Sequence, residues 1–263
     1  MPNGQVYQGT TTKFGPDFST TLQWYETVAN SNYKAMQMSV ERKAADVTFV
    51  PAYTYSKSID NASAQGDWLN YLNYRLSRAL SGFDMKHNFV ASYNWAIPFD
   101  RMFKGGSKRW TQGWNASGIT RFTSGLPVKI SQSGDLDLTG RSGLDMPNVI
   151  APVTFQNPRN AGPDGRPNTY FSTSSFTSEA LGTIGDANRR FFYGPGIVNM
   201  DFGLSKTVPF TESKSIQIRA EFSNIFNHTN FNNPHGSFSS STFGEITSVK
   251  APRIGQVSMR FLW

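Results

Sequence analysis

Seven segments of this chain alternate apolar and polar residues, most of them for 10 to 13 residues at a stretch. Side chains on an extended strand point to opposite faces in turn, so each segment reads as a strand with one apolar and one polar face. In 32–43, Met36, Met38 and Val40 oppose Gln37, Ser39 and Glu41. In 46–58, Val47, Phe49, Pro51, Tyr53 and Tyr55 share a face. The same pattern recurs at 86–99, 110–124, 197–208 and 215–226, and closes the chain in GQVSMRFLW, 255–263. There Val257, Met259, Phe261 and Trp263 oppose Gln256, Ser258 and Arg260. A weaker eighth candidate is 18–29.

The connections between these strands fall into two kinds. Ala44-Ala45, 100–109 and 210–214 are tight or modest, and they take turns with long polar stretches at 59–85, 125–193 and 228–252. Unstructured loops beyond ~12 to 15 residues are uncommon in compact domains, so three of them need a reason. The middle one is rich in Gly, Pro and Asn and shows no core periodicity. In the first, Leu69, Leu72, Leu76 and Leu80 suggest a short amphipathic helix.

Alternation fits two architectures. A soluble sandwich or small barrel turns its apolar faces inward, whereas a transmembrane barrel turns them to lipid and lines its lumen with the polar ones. Strand length favours the membrane, since a tilted crossing strand takes ~9 to 11 residues and a globular one peaks near ~5 to 6. Aromatics near strand ends, at Tyr33, Tyr55, Trp95, Trp110, Trp114 and Trp263, suit interfacial girdles. Alternating short turns and long loops suit one quiet and one elaborated side. The rival is a soluble, aromatic-rich sandwich or barrel that binds carbohydrate.

Composition narrows the function. Aromatics make up 14% of the chain, and no run approaches the ~18 to 20 apolar residues of a spanning helix. With no cysteine, disulfides, thiolate metal sites and cysteine nucleophiles are excluded. A net charge of +7 raises nucleic acid as a partner, but the cations are spread over loops, turns and the polar face, so no nucleic acid is expected. The densest basic cluster, DRMFKGGSKRW, suits lipid headgroups equally well. The motifs GxSxG, HExxH and GxxxxGK[ST] are missing, so no enzyme is expected. Asp135 and Asp137 in GDLDLTG have calcium-loop spacing without the downstream Glu, and a polar loop is the simpler reading. His228 and His235 lack a third ligand in view, and His87 heads a strand, so no metal and no cofactor is expected. The opening MPNGQVYQGT shows no charged stretch followed by an apolar one of signal-peptide type.

Several ordered blocks, SNYKAMQMSVERK…DVTFVPAYTYSKSIDNAS, FDMKHNFVASYNWAIPF and AEFSNIFNHTNFNNP…FGEITSVKAPRIGQVSMRFLW, resemble the C-terminal barrel of Oar-like TonB-dependent outer-membrane receptors. These receptors carry a carboxypeptidase-regulatory-like domain at their N-terminus and are common in acidobacteria. The resemblance spans roughly residues 20 to 263. It implies an antiparallel transmembrane β-barrel segment in the outer membrane of a Gram-negative bacterium. Val257, Met259, Phe261 and Trp263, within a final strand over 253–263, would form the signal read by the barrel assembly machinery. The long loops would be extracellular and capture an unknown ligand. Asn94, Asn115, Arg121, Asp201, Arg219, Glu221 and Arg260 would face the lumen. Family members are several times longer, with a plug and roughly 22 strands, so residues 1–263 read as the last third of a barrel. The plug and the TonB system would be reached through parts not present here, and the segment alone would not transport.

Overall fold

The computed structural model describes residues 26–64, 67, 69–70, 73–138, 144–160 and 168–263. Seven long strands carry it: β1 (Ser31–Ser39), β2 (Val47–Asp60), β3 (His87–Ile97), β4 (Trp114–Thr123), β5 (Ile197–Pro209), β6 (Ser215–Ser223) and β7 (Ile254–Leu262). They form one antiparallel meander in chain order, each strand pairing with the next. β1 and β7 are its two edges, and all nine residues of each are exposed. The sheet is therefore an open segment of barrel wall among the described residues. All seven alternating segments of the sequence become strands. The weaker eighth, 18–29, lies largely outside the described residues, and 26–29 are irregular.

The register turns sequence alternation into two continuous surfaces. Asn94 pairs with Thr48 and Ser117, Ser117 with Gly203, Gly203 with Glu221, and Glu221 with Gln256, one polar row across six strands. Outside it run Trp95 beside Ala116, Ala116 beside Leu204, Leu204 beside Ala220 and Ala220 beside Val257. Apolar side chains on this second face stay open: Val257 is 74% exposed and Met259 73%. A strand of ten residues, rising ~3.3 Å each and tilted by ~40°, spans about 25 Å, the height of an outer-membrane barrel's apolar band.

Aromatics mark both rims of that band. At the short-turn end stand Trp95, Trp114 and the stacked pair Phe261–Trp263, with centroids 5.8 Å apart. Towards the long loops stand Tyr53 and Tyr55, which flank His87, and the stacked pair Phe89–Phe122. Tyr33 does not join them. It pairs with Ser58 on the polar face, one residue out of phase with Met36 and Tyr55.

All three long connections leave from the same end of the sheet, and all three short ones from the other. The short turn between β3 and β4 holds two single-turn helices, α1 (Phe99–Met102) and α2 (Lys108–Thr111). The amphipathic helix expected from Leu69, Leu72, Leu76 and Leu80 is corrected to one 3₁₀ turn, Tyr74–Ser77. Leu76 is exposed there, and Leu80 belongs to the two-residue strand Ala79–Leu80 beside Ile59 and Asp60. Asn73 caps the turn by accepting from the Arg75 amide, and the chain goes extended at Arg78. Leu72 lies outside the described residues.

One close cross-strand fit ties β3 to β4 and β5 on the apolar face. Tyr93 lies over Gly118, its paired residue, and a Cβ there would run into the Tyr93 ring and the Asp201 carbonyl. Gly118→Ala should therefore cost about 1–3 kcal/mol of stability through overpacking. Gly203→Ala, whose added Cβ would meet only ordinary contacts, should cost much less. Denaturant unfolding of the two variants in lipid vesicles checks this; equal losses would refute it.

Candidate functional site

The chain buries its core in the loops, not under the sheet. Val128, Ile130, Phe171, Phe176, Ala187, Phe192 and Phe243 form the buried cluster, and all come from 125–193 and 228–252. Phe171 is its hub, meeting Phe192, Phe243 and Phe176 edge-on at centroid distances of 5.0, 5.1 and 5.8 Å. Such pairs each add about 0.5–1.5 kcal/mol beyond their buried area. Ser131 bridges to the third loop through backbone bonds, its N–H to Gly236 and its carbonyl from Phe238. Sequence periodicity missed this core because its aromatics arise from irregular backbone, with no strand or helix to space them. The repeated Phe of 171–192 was the available signal.

A buried ion network fastens this cap to the wall. Arg189 reaches Asp60 at the end of β2 (2.9 Å) and Asp67 in the first loop (3.0 Å). Asp67 also meets Lys129 at 3.3 Å and Arg190 at 3.5 Å. Burial pushes the Asp67 carboxyl up, but the Ser63 amide, Arg189, Arg190 and Lys129 outweigh it and hold it below the usual carboxylate range. Nearby, Asp84 accepts from the Ser58 amide (2.6 Å) and from the Tyr193 hydroxyl (2.6 Å). Burial, then the bond to Asp84, pushes the Tyr193 phenol up. The first loop thus supplies anions and the second cations, and together they cover Ser56, Ser58 and Asp60, which are buried on the polar face.

The polar face itself carries the residues expected to line a lumen. Register places Asn94, Asn115, Arg121, Asp201, Arg219, Glu221 and Arg260 on this one face. A groove of about 560 Å³ runs over Asn94, Asn115, Ser117, Ser205, Gln217 and Arg219. Arg219 Nε meets Glu221 at 3.0 Å, and Gln256 donates to the other Glu221 oxygen at 2.8 Å. Asp201 accepts from Asn199, Ser223 and the Asn224 amide, each at 2.9 Å. Arg121 points its guanidinium at the Met85 sulfur, 4.0 Å away. Arg260 stands opposite Gln217 near the short-turn end. Val257, Met259 and Phe261 lie on the apolar face, and Trp263 follows them, 86% exposed.

The two loop histidines have separate partners: His228 Nδ1 meets Asn230 (3.4 Å), and His235 Nε2 meets Thr247 (2.8 Å). Among the described residues no three His, Cys, Asp or Glu side chains are grouped to hold a metal ion. Asp137 is buried in the second loop near Asp145, which accepts from the Leu136 amide at 3.3 Å. Burial, and the hydrogen bond that the protonated Asp145 carboxyl donates to Glu179, push Asp145 up to about 6.

That shift has a sign. An acid whose folded value exceeds its unfolded one favours folding while protonated, so the contribution is full below about pH 4 and is lost as pH rises through about 6. The cap should accordingly loosen between pH 4 and 7 at this point, and Asp145→Asn should flatten the change. Proteolytic nicking within 125–193, followed across that range, reads it; nicking equally pH-dependent in wild type and variant would contradict it.

Among the described residues the exposed apolar band, the girdles and the one-sided loops favour the membrane architecture over the soluble carbohydrate-binding sandwich or barrel. No curated protein and no solved structure matches the chain. The family described as an outer membrane beta barrel domain matches residues 2–256, nearly the whole chain, and the chain belongs to that family of outer-membrane proteins.

Proposed function

We propose that this barrel segment is the wall and ligand-recognition part of a TonB-dependent receptor of Oar-like type, in energy-coupled uptake across the outer membrane. The observation that carries the reading is the cap: three long loops on one end of the sheet, the second and third packed on a shared phenylalanine core and the first locked to the second by buried ions. A pore-forming wall does not require so large a folded structure outside it, whereas capture of a scarce ligand does. The open edges at β1 and β7 fit the same reading. Lipid leaves no unpaired backbone unsatisfied, so the seven long strands among the described residues find further partners in a wider barrel. In that barrel Asn94, Asn115, Arg121, Asp201, Arg219, Glu221 and Arg260 face the lumen, along the path or against the plug. Val257, Met259, Phe261 and Trp263 serve the assembly machinery.

The genomic DNA upstream of Met1 tests the receptor reading. A continuous frame encoding further alternating strands and a plug supports it, and a promoter and ribosome-binding site directly upstream overturns it. The role of Trp263 is tested separately by deleting it and following heat-modifiable migration of outer-membrane fractions. The assembled form should fall about ten-fold; undiminished assembly would remove Trp263 from the signal.

A further inference from the structure

The register sets two lysines against each other on the lipid-facing side of the sheet. Lys34 of β1 and Lys57 of β2 are directly paired, and both are exposed. They share the apolar phase with Met36 and Tyr55, the pair two residues along. The neighbours of Lys57 in sequence fix the side: Ser56 and Ser58 are buried on the polar face, while Lys57 between them stays open. Side chains paired this way stand about 4.5–5.5 Å apart at Cβ, and like charges in that position destabilise a sheet.

No carboxylate among the described residues relieves that repulsion, since neither lysine has an ion-pair partner there. The acids near this end of β2 are engaged elsewhere. Asp60 and Asp67 hold Arg189, Asp84 takes the Ser58 amide and the Tyr193 hydroxyl, and Glu26 accepts from Tyr74. Height along the strand then fixes what surrounds the pair. Val47 stands beside Trp95 at the short-turn girdle, and Lys57 lies ten residues further along β2 on the same face. At ~3.3 Å a residue and a tilt of ~40° that distance is about 25 Å, the full height of the apolar band. The lysines therefore stand at the headgroup level of the leaflet on the long-loop side. Just inside them lies an aromatic belt of the kind found at that level, with the His87 ring 5.2 Å from that of Tyr55 and its Nδ1 2.8 Å from the Tyr53 hydroxyl.

We propose that Lys34 and Lys57 together bind a phosphate of the phosphorylated glycolipid that forms the outer leaflet of a Gram-negative outer membrane. The long loops of outer-membrane barrels are extracellular, which puts the pair in that leaflet. The phosphate bridges the two ammonium groups and turns a repulsive pair into an attractive one, while the lysine stems lie along the apolar surface. The acyl chains run down over Met36, Met38 and Tyr55, which are open on the same face. Free phosphate would gain only the cations, whereas the lipid gains both. The proposal depends on membership of the outer-membrane barrel family and not on the receptor reading, so upstream DNA that overturned the latter would leave it standing.

The test uses the full chain refolded in zwitterionic detergent, with assembly verified by heat-modifiable migration. It is titrated in a calorimeter with a tetra-acyl diphosphoryl glucosamine disaccharide, with the same glycolipid after enzymatic removal of its phosphates, and with inorganic phosphate. The phosphorylated glycolipid should bind at least ten-fold more tightly than the other two. K34Q/K57Q should weaken it by ten-fold or more, since each cation near an anionic surface counts for about five-fold. Lys57→Glu sets opposite charges across the pair, which favours the sheet, and should lose the phosphorylated lipid all the same. That variant decides the matter if K34Q/K57Q fails to assemble. Lys214→Gln, at the short-turn end, should bind like wild type. Equal binding of the dephosphorylated glycolipid overturns the proposal, as does inorganic phosphate binding as tightly as the lipid. So does an assembled K34Q/K57Q or Lys57→Glu variant that binds like wild type. A loss in Lys214→Gln as large as in K34Q/K57Q would mark a general attraction to a basic protein, and it overturns the proposal too.

Discussion

In a medium without water every backbone N–H and C=O has to find its partner inside the protein, and the rest of this molecule is arranged around that demand. A meander of seven long strands, each paired with its neighbour in sequence, meets it everywhere but at the two edges of the described sheet. Once the backbone is committed to the sheet, side chains must settle the rest by parity. Residues on the even phase of β5, such as Met200, Phe202 and Leu204, meet hydrocarbon, while Asn199, Asp201 and Ser205 turn to the other side. One misplaced residue is tolerated only near a rim. Lys206 falls on the apolar phase, and it survives there because the Gln112 carbonyl and the Trp114 ring are within reach of its ammonium.

The demand also displaces the core. A sheet that spends its apolar face on lipid has none left to pack against another layer, so the hydrophobic effect acts in water only on the loops. That is why Phe171, Phe192 and Phe243 cluster at the loop end while Val257 and Met259 stay open. Both arrangements remove apolar surface from water, the first by packing and the second by the bilayer. The cap is accordingly a small globular unit set on the end of the wall, with tight backbone approaches of its own. At Gly236, for instance, a Cβ would strike the Lys129 carbonyl.

Much of the wall was legible in the sequence, for a simple reason. A period of two survives in any register, so Trp95, Asn115 and Arg219 could be assigned to their faces before any pairing was known. Tyr33 shows the limit: it is aromatic and near a strand end, yet its parity puts it opposite Ser58, and parity overrides residue type. The leucines at 69–80 misled in the opposite way. Their spacing mimics a helical stripe, but the segment has a strand end to pair with at Ile59 and Asp60, which draws Ala79 and Leu80 out of any helix. The cap was hardest to read. Its order rests on contacts between loops distant in sequence, such as Arg189 with Asp60 and Phe171 with Phe243, and no local pattern encodes those.

The ion network and the phenylalanine core do different jobs in holding the cap. A phenylalanine cluster is non-directional and would settle in more than one orientation over the strand ends. The pairing of Arg189 with both Asp60 and Asp67 is not so forgiving, because a buried guanidinium that loses either carboxylate leaves uncompensated charge at a cost of about 3–5 kcal/mol. Asp60 belongs to the wall and Asp67 to the first loop, so one side chain from the second loop fixes three parts of the chain at once. Polar contacts thus specify where the cap sits, while the aromatic contacts keep it folded. A stable shape and a single placement over the polar face therefore come from different contacts.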